Sequence, residues 1–180
     1  MESDKLSAVK LLACDVDGVL TDGSICYGTA NAEIKAFNIK DGLGMKLAGW
    51  AGLPVVWLTG RVSDAVTHRA VELNVQVFNS VDDKGSGLKA IARSRGVELE
   101  EIAYLGDDLN DLPAMRLAGF PVAVADAVPE VIAAAAYVTT NPGGHGAIRE
   151  VIEMILKAQN RWDAAVEMYV PTAQAAGGAR

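Results

Sequence analysis

Cysteine is scarce in this chain of 180 residues, which has only Cys14 and Cys26. Their separation fits no zinc-ligand spacing, and two thiols are too few for a disulfide framework, so a reducing compartment is expected. Basic residues are outnumbered, with 16 Lys and Arg against 23 Asp and Glu and a net charge of −7. Proteins that grip a nucleic-acid backbone carry a basic footprint, which points away from nucleic acid as a partner. A small anionic substrate stays open where a metal or a local group of cations overrides the global field. Long apolar runs are missing as well. Nothing approaches the roughly 20 residues of a membrane span, and Met1-Glu2-Ser3-Asp4-Lys5 lacks the basic start and apolar core of a secretory signal. The expectation is a cytoplasmic protein with no membrane partner.

The chain does contain short apolar runs that alternate with amphipathic stretches. The runs fall at 9–14, 54–58, 75–78, 102–105, 121–124 and 137–139, and their alternation predicts one α/β domain, a doubly wound, Rossmann-like parallel sheet flanked by helices. Val62, Val66, Ala70 and Leu73 share one helical face, and Ile148, Ile152, Ile155 and Leu156 share another. Residues 24–39 differ. Ile25 and Tyr27, then Ile34, Ala36, Phe37 and Ile39, flank Gly28-Thr29-Ala30-Asn31, which reads as a small β-hairpin after the first strand. The stretch 161–180 ends in small and polar residues and reads as a tail, mobile or packed on a neighbouring subunit.

Asp15 and Asp17 leave the end of the first apolar run within Leu11-Leu12-Ala13-Cys14-Asp15-Val16-Asp17-Gly18. Carboxyl ends of strands in an open α/β sheet are where ligands bind, yet Asp-x-Asp-Gly is also a common turn. One metal reading is removed by counting. A calcium loop starting at Asp15 needs an oxygen ligand at its fifth position, Gly at its sixth and Glu at its twelfth, where this chain has Val19, Leu20 and Cys26.

The other strand ends carry polar groups too. Val55-Val56-Trp57-Leu58 runs into Thr59-Gly60-Arg61, which offers a hydroxyl, a flexible turn and a guanidinium. Ile102-Ala103-Tyr104-Leu105 runs into Gly106-Asp107-Asp108-Leu109-Asn110-Asp111, and Lys84 follows Asp82-Asp83. Taken singly, the first is equally an N-cap and turn, the second a helix start favoured by the macrodipole, and the third a solvated lysine. Taken together they gather acids, a hydroxyl and an ammonium at successive ends of one sheet.

This order, Asp15-x-Asp17-Gly18, Thr59-Gly60, Lys84, Gly106-Asp107-Asp108-x-x-Asp111, resembles the phosphatase branch of the haloacid dehalogenase superfamily over residues 9 to about 158. The resemblance implies a Mg²⁺-dependent phosphoric monoester hydrolase in which Asp15 is the nucleophile that forms an aspartyl-phosphate. Asp17 would then act as general acid and base, Thr59, Gly60 and Lys84 would hold the phosphate, and Asp15, Asp17 and Asp107 the metal. Asp108 and Asp111 are implied as supporting acids. Both intervals where the superfamily inserts cap domains are short here, so residues 1–160 resemble a capless phosphatase domain. Asp-Gly-Val-Leu-Thr-Asp-Gly (17–23), Phe37-Asn38-Ile39-Lys40-Asp41-Gly42-Leu43-Gly44 and Asn141-Pro142-Gly143-Gly144-His145-Gly146 resemble the 3-deoxy-D-manno-octulosonate 8-phosphate phosphatase family. That resemblance implies a small sugar-acid phosphate as substrate, lipopolysaccharide precursor synthesis, a homotetramer, and Lys40, Asp41, Arg61 and His145 as substrate-binding candidates. A nonulosonate 9-phosphate phosphatase and a non-catalytic regulatory module of the same fold are the alternatives.

Overall fold

The computed structural model describes residues 2–29 and 32–170. A short helix α1 (Glu2–Ala8) precedes strand β1 (Leu11–Cys14), after which β2 (Cys26–Tyr27) and β3 (Glu33–Ile34) form the hairpin. Helix α2 (Ile39–Trp50), β4 (Val55–Leu58), α3 (Asp64–Leu73), β5 (Gln76–Phe78) and α4 (Lys84–Arg95) follow. The second half runs through β6 (Ile102–Gly106), α5 (Leu112–Met115), β7 (Phe120–Ala123), α6 (Pro129–Ala134), β8 (Tyr137–Val138), α7 (Ala147–Ala158) and α8 (Trp162–Tyr169).

Six strands pair in parallel in the order β5-β4-β1-β6-β7-β8. The chain winds outward from β1 through β4 to β5, then returns to lay β6 on the other side of β1. That reversal is a topological switch point, and it opens a crevice at the carboxyl ends of β1 and β6. Strands covered on both faces should be apolar throughout rather than alternating, and every residue of β1, β4 and β6 is buried. Trp57 and Tyr104 are the largest side chains enclosed there.

All six expected sheet strands are present, each within two residues of the apolar run that announced it. The helical faces hold with one correction. Val66, Ala70 and Leu73 are buried, but α3 starts at Asp64, so Val62 sits in the preceding loop at 70% exposure. The hairpin is shorter than its apolar pattern suggested. Cys26 pairs with Ile34 and Tyr27 with Glu33, whereas Phe37 lies beyond the strand, its ring stacked on Trp57, and Ile39 opens α2. Residues 30 and 31 of its turn lie outside the described residues.

The tail boundary at 161 also moves. Residues 162–169 form α8, which packs on α2 and α7: Trp50 stacks on Tyr169, Arg149 and Lys157 lie over the Trp162 ring, and Ala165 is buried. The reading missed it because Trp162, Ala165, Met168 and Tyr169 give only two helical turns of apolar pattern. Residues 171–180, on which the rest of the tail expectation falls, lie outside the described residues.

Since α8 is held by a few aromatic and cation–π contacts, Trp162→Ala should lower unfolding stability by about 1–3 kcal/mol, read as a shift of the urea midpoint at unchanged slope.

Candidate active site

The site grows from the end of β1. Asp15 follows the last residue of that strand, its amide donates to the Leu105 carbonyl of β6 at 3.1 Å, and the residue is only 5% exposed. Asp107 follows the last residue of β6, so the two carboxyl groups face each other across the switch point. Lys84 is the first residue of α4, whose N-cap Asp83 accepts from the Gly85 and Ser86 amides. Its ammonium lies 2.7 Å from Asp15 Oδ2 and 2.7 Å from Asp111 Oδ1. Burial opposes its charge, but Asp15 and Asp111 outweigh that and hold its pKa above the ordinary lysine value.

Asp111 is fully buried, and both its oxygens are occupied. Oδ1 accepts from Lys84 and from the Tyr104 hydroxyl at 2.7 Å, and Oδ2 accepts from the amides of Asp107 at 2.9 Å and Asp108 at 3.4 Å. It thus orients Lys84 and folds the loop that carries Asp107. Asp108 caps the short turn 109–111 through the Leu109 amide and is exposed at the rim. Tyr104 was not foreseen as part of this network, being read only as a strand residue.

Thr59 and Gly60 close the other side. Thr59 is buried, with its amide on the Phe78 carbonyl and its Oγ1 accepting from the Arg61 amide at 3.1 Å. Asp15, Asp17, Thr59, Gly60, Arg61, Asp107 and Asp108 line one open cleft of about 250 Å³, with Gly23 and Asn110 completing the wall. Seven of the twelve candidate side chains therefore converge on the cleft, and Lys84 and Asp111 lie directly beneath it.

The remaining three do not. Lys40 is exposed on the first turn of α2, and His145 is exposed before α7, neither lining the cleft. Asp41 is buried, and its carboxylate accepts from the Gly146 amide at 3.2 Å and the Arg149 amide at 3.0 Å. It is corrected from substrate ligand to cap of α7, a helix that has no side-chain cap of its own. Its two carboxylate oxygens take the amide of the N-cap residue Gly146 and that of Arg149 in the first turn, groups that the helix leaves unpaired.

Glycine fixes the approach of Asp107. Gly18 has φ +88, and a Cβ there would stand 2.0 Å from Asp107 Oδ2. At Gly143 a Cβ would meet the Gly18 carbonyl oxygen at 1.7 Å, so the 141–146 segment is pressed against the loop that carries Asp17 and contributes backbone rather than His145.

Three carboxyl groups, on Asp15, Asp107 and Asp111, have oxygens within 4.8 Å of one another, against the single ammonium of Lys84. Burial, then Asp111, push the Asp15 carboxyl up to about 7, with Lys84 pulling down. Burial, then Asp111 and Asp15, push Asp107 up to about 8. Asp107 Oδ1 is buried with no hydrogen-bond partner. An all-oxygen donor set with excess negative charge and an unpartnered buried carboxylate oxygen fits a hard divalent cation. Because Asp111 is already filled, Asp15 and Asp107 are the side chains with capacity to hold it.

Residues 57–152 match the family described as haloacid dehalogenase-like hydrolases. Over 163 residues the chain is 39% identical to the 3-deoxy-D-manno-octulosonate 8-phosphate phosphatase KdsC of Yersinia pestis, covering 90% of this chain and 87% of the relative. The chain belongs to the haloacid dehalogenase-like hydrolases. Within this family, the structure of the 3-deoxy-D-manno-octulosonate 8-phosphate phosphatase from Moraxella catarrhalis, in complex with magnesium, phosphate and KDO, superposes with a TM-score of 0.89 at 43% identity, covering 93% of this chain and 97% of that one. The cobalt-bound phosphatase from Haemophilus influenzae gives a TM-score of 0.86 at 39% identity, covering 89% and 94%. Among the described residues no cap domain is inserted, and the small hairpin is the element that carries Glu33 to the Arg61 side of the cleft.

Both raised carboxyl values lie above the ordinary range near 4, so between about 4 and about 8 the folded protein holds protons that the unfolded chain has released. Stability of the metal-free protein should therefore fall as pH rises through that window. The slope should stay below the limit of ~1.4 kcal/mol per pH unit per proton, since Asp107 is part-exposed and solvent-screened. A saturating divalent cation should flatten the dependence, as read from urea midpoints with chelator or with cation.

Proposed function

We propose that this chain is a Mg²⁺-dependent phosphatase that hydrolyses 3-deoxy-D-manno-octulosonate 8-phosphate to the free sugar acid and phosphate, in lipopolysaccharide precursor synthesis. The observation that carries the reading is the facing pair of Asp15, clamped by Lys84, and Asp107, whose buried Oδ1 has no protein partner. Relatives bearing that name match about nine-tenths of the chain, and the Moraxella catarrhalis structure contains magnesium, phosphate and KDO.

A phosphate monoester is anionic and repels nucleophiles, so catalysis rests on charge neutralisation and in-line placement. Asp15 attacks phosphorus, forming an aspartyl-phosphate as the bond to the sugar oxygen breaks. Asp17 gives that oxygen its proton and then takes one from the water that hydrolyses the intermediate, so one acid moves phosphorus and the other moves protons. The ammonium of Lys84 has three N–H donors. With two on Asp15 and Asp111, the third is free for a phosphate oxygen, alongside the Thr59 hydroxyl and the Gly60 backbone. A Mg²⁺ held by Asp15, Asp107 and the Asp17 main-chain carbonyl would supply the positive charge that lets an anionic nucleophile meet an anionic ester.

Arg61, part-exposed at the rim, is suited to the carboxylate of the sugar acid, since a guanidinium pairs with carboxylate in a fixed geometry. The open cleft has no cap, and the hairpin presents Ile25, Tyr27 and Ile34 to solvent. That apolar group supports a homotetramer in which neighbours cover the site. The same reading places the enzyme in the cytoplasm. No helix among the described residues is long and apolar enough to cross a membrane.

Asp15→Asn should abolish Mg²⁺-dependent phosphate release from the sugar-acid phosphate, by roughly 10³-fold or more in kcat, with the far-ultraviolet spectrum unchanged. Near-normal turnover in the folded variant would remove Asp15 as nucleophile, and a higher kcat/KM for phosphoserine or a hexose phosphate would remove the proposed substrate.

A further inference from the structure

Asp17 is placed by groups that lie outside the four strand-end motifs. The hairpin strand β3 and its continuation carry Glu33, Ile34 and Lys35 in alternation. Successive side chains of a strand point to opposite sides, and here Ile34 is 56% exposed on one side, whereas the Lys35 side chain is fully enclosed. Lys35 Nζ bonds Asp17 Oδ1 and lies 2.9 Å from Glu33 Oε1. Glu33 Oε2 in turn accepts from Arg61 Nη2 at 2.7 Å, and Arg61 Nε stands 3.9 Å from Asp17 Oδ2. The four charges close a ring, acid to base to acid to base, with Asp17 and Arg61 as the members that line the cleft.

From this ring we infer that Lys35 is a positioning residue for Asp17: it pins one carboxyl oxygen of Asp17 against the hairpin so that the other is presented to the leaving-group oxygen. An ammonium withdrawn from water is stable only when its donors are satisfied by charge, and both of its carboxylate partners are present. Lys35 also separates two acids. Without it, Asp17 and Glu33 would share one pocket as like charges, and Asp17 would turn away from Glu33 and from its working position. Lys35 does not line the cleft itself, so it acts through Asp17 rather than on the substrate. The inference rests on the proton-transfer role assigned to Asp17 above.

Leaving-group chemistry separates positioning from general damage. A sugar alkoxide is a poor leaving group and needs the proton from Asp17, whereas p-nitrophenolate departs without one. Because Asp17 is also the base for hydrolysis of the intermediate that both substrates share, the comparison is read in kcat/KM, which covers only the steps up to departure of the leaving group. Lys35→Met, which keeps the length and removes the charge, should lower kcat/KM for the sugar-acid phosphate by about 10–100-fold, the range seen when a supporting partner of a catalytic group is lost. It should change kcat/KM for p-nitrophenyl phosphate by less than about 3-fold. Lys35→Arg should recover most of the loss. Asp17→Asn serves as the reference and should show the same selective defect, larger in size. Equal losses on both substrates, a rise in KM alone, or no rescue by arginine would overturn the positioning role while the assignment of Asp17 stands. If Asp17→Asn itself fails to distinguish the two leaving groups, the acid role of Asp17 falls and this inference falls with it.

Discussion

Everything at the crevice depends on a lysine held between two buried acids. Taking one ammonium and two carboxyl groups out of water costs several kcal/mol per ion before any contact is made. The cost is offset because the ammonium is paired with both acids at hydrogen-bond distance. Lys84 reaches Asp15 and Asp111 at equal distance, and Asp111 collects Tyr104 and two backbone amides in addition. The arrangement ties the ends of β1 and β6 to the start of α4, three segments far apart in sequence, and sets the spacing at which Asp107 can face Asp15. The remaining imbalance, more acid than base, is what gives the cleft its appetite for a cation.

The cleft is assembled by close backbone contact as much as by side chains. Gly18 lets Asp107 pass where any Cβ would block it, and Gly143 lets the 141–146 segment lie directly on the Gly18 carbonyl. Asp41 then joins α2 to the first turn of α7, locking that segment from behind. Asp41, whose charge suggested contact with substrate, thus serves as a strut, and among the substrate-binding candidates it is Arg61 that lines the cleft.

The strands and the strand-end motifs were legible because buried parallel strands need unbroken apolar runs, and because a doubly wound sheet brings their ends together whatever the loop lengths. Asp15, Asp17, Thr59, Lys84 and Asp107 fell out of that rule directly. What escaped depended on contacts between distant segments. Asp41 reads as a substrate-binding candidate because nothing in Ile39-Lys40-Asp41 reveals that the amides of Gly146 and Arg149 lie opposite it. Tyr104 looked like one more strand residue, since its bond to Asp111 is visible only once the loop has folded. The alternation Glu33-Ile34-Lys35 is the one local signal for the ring around Asp17, and by itself it marks only a strand with one charged face.

The two faces of that hairpin make its length a matter of parity. One face carries Glu33 and Lys35 toward Asp17 and Arg61, and the other turns Ile34 outward. A shift of one residue in the pairing of Cys26 with Ile34 and Tyr27 with Glu33 would exchange the faces, sending both charges into solvent and an isoleucine toward the acid. A shift of two would restore the sidedness. Insertions and deletions in the hairpin turn should therefore be tolerated in even steps and rejected in odd ones, a counting rule set by the ring of charges on one face of the hairpin.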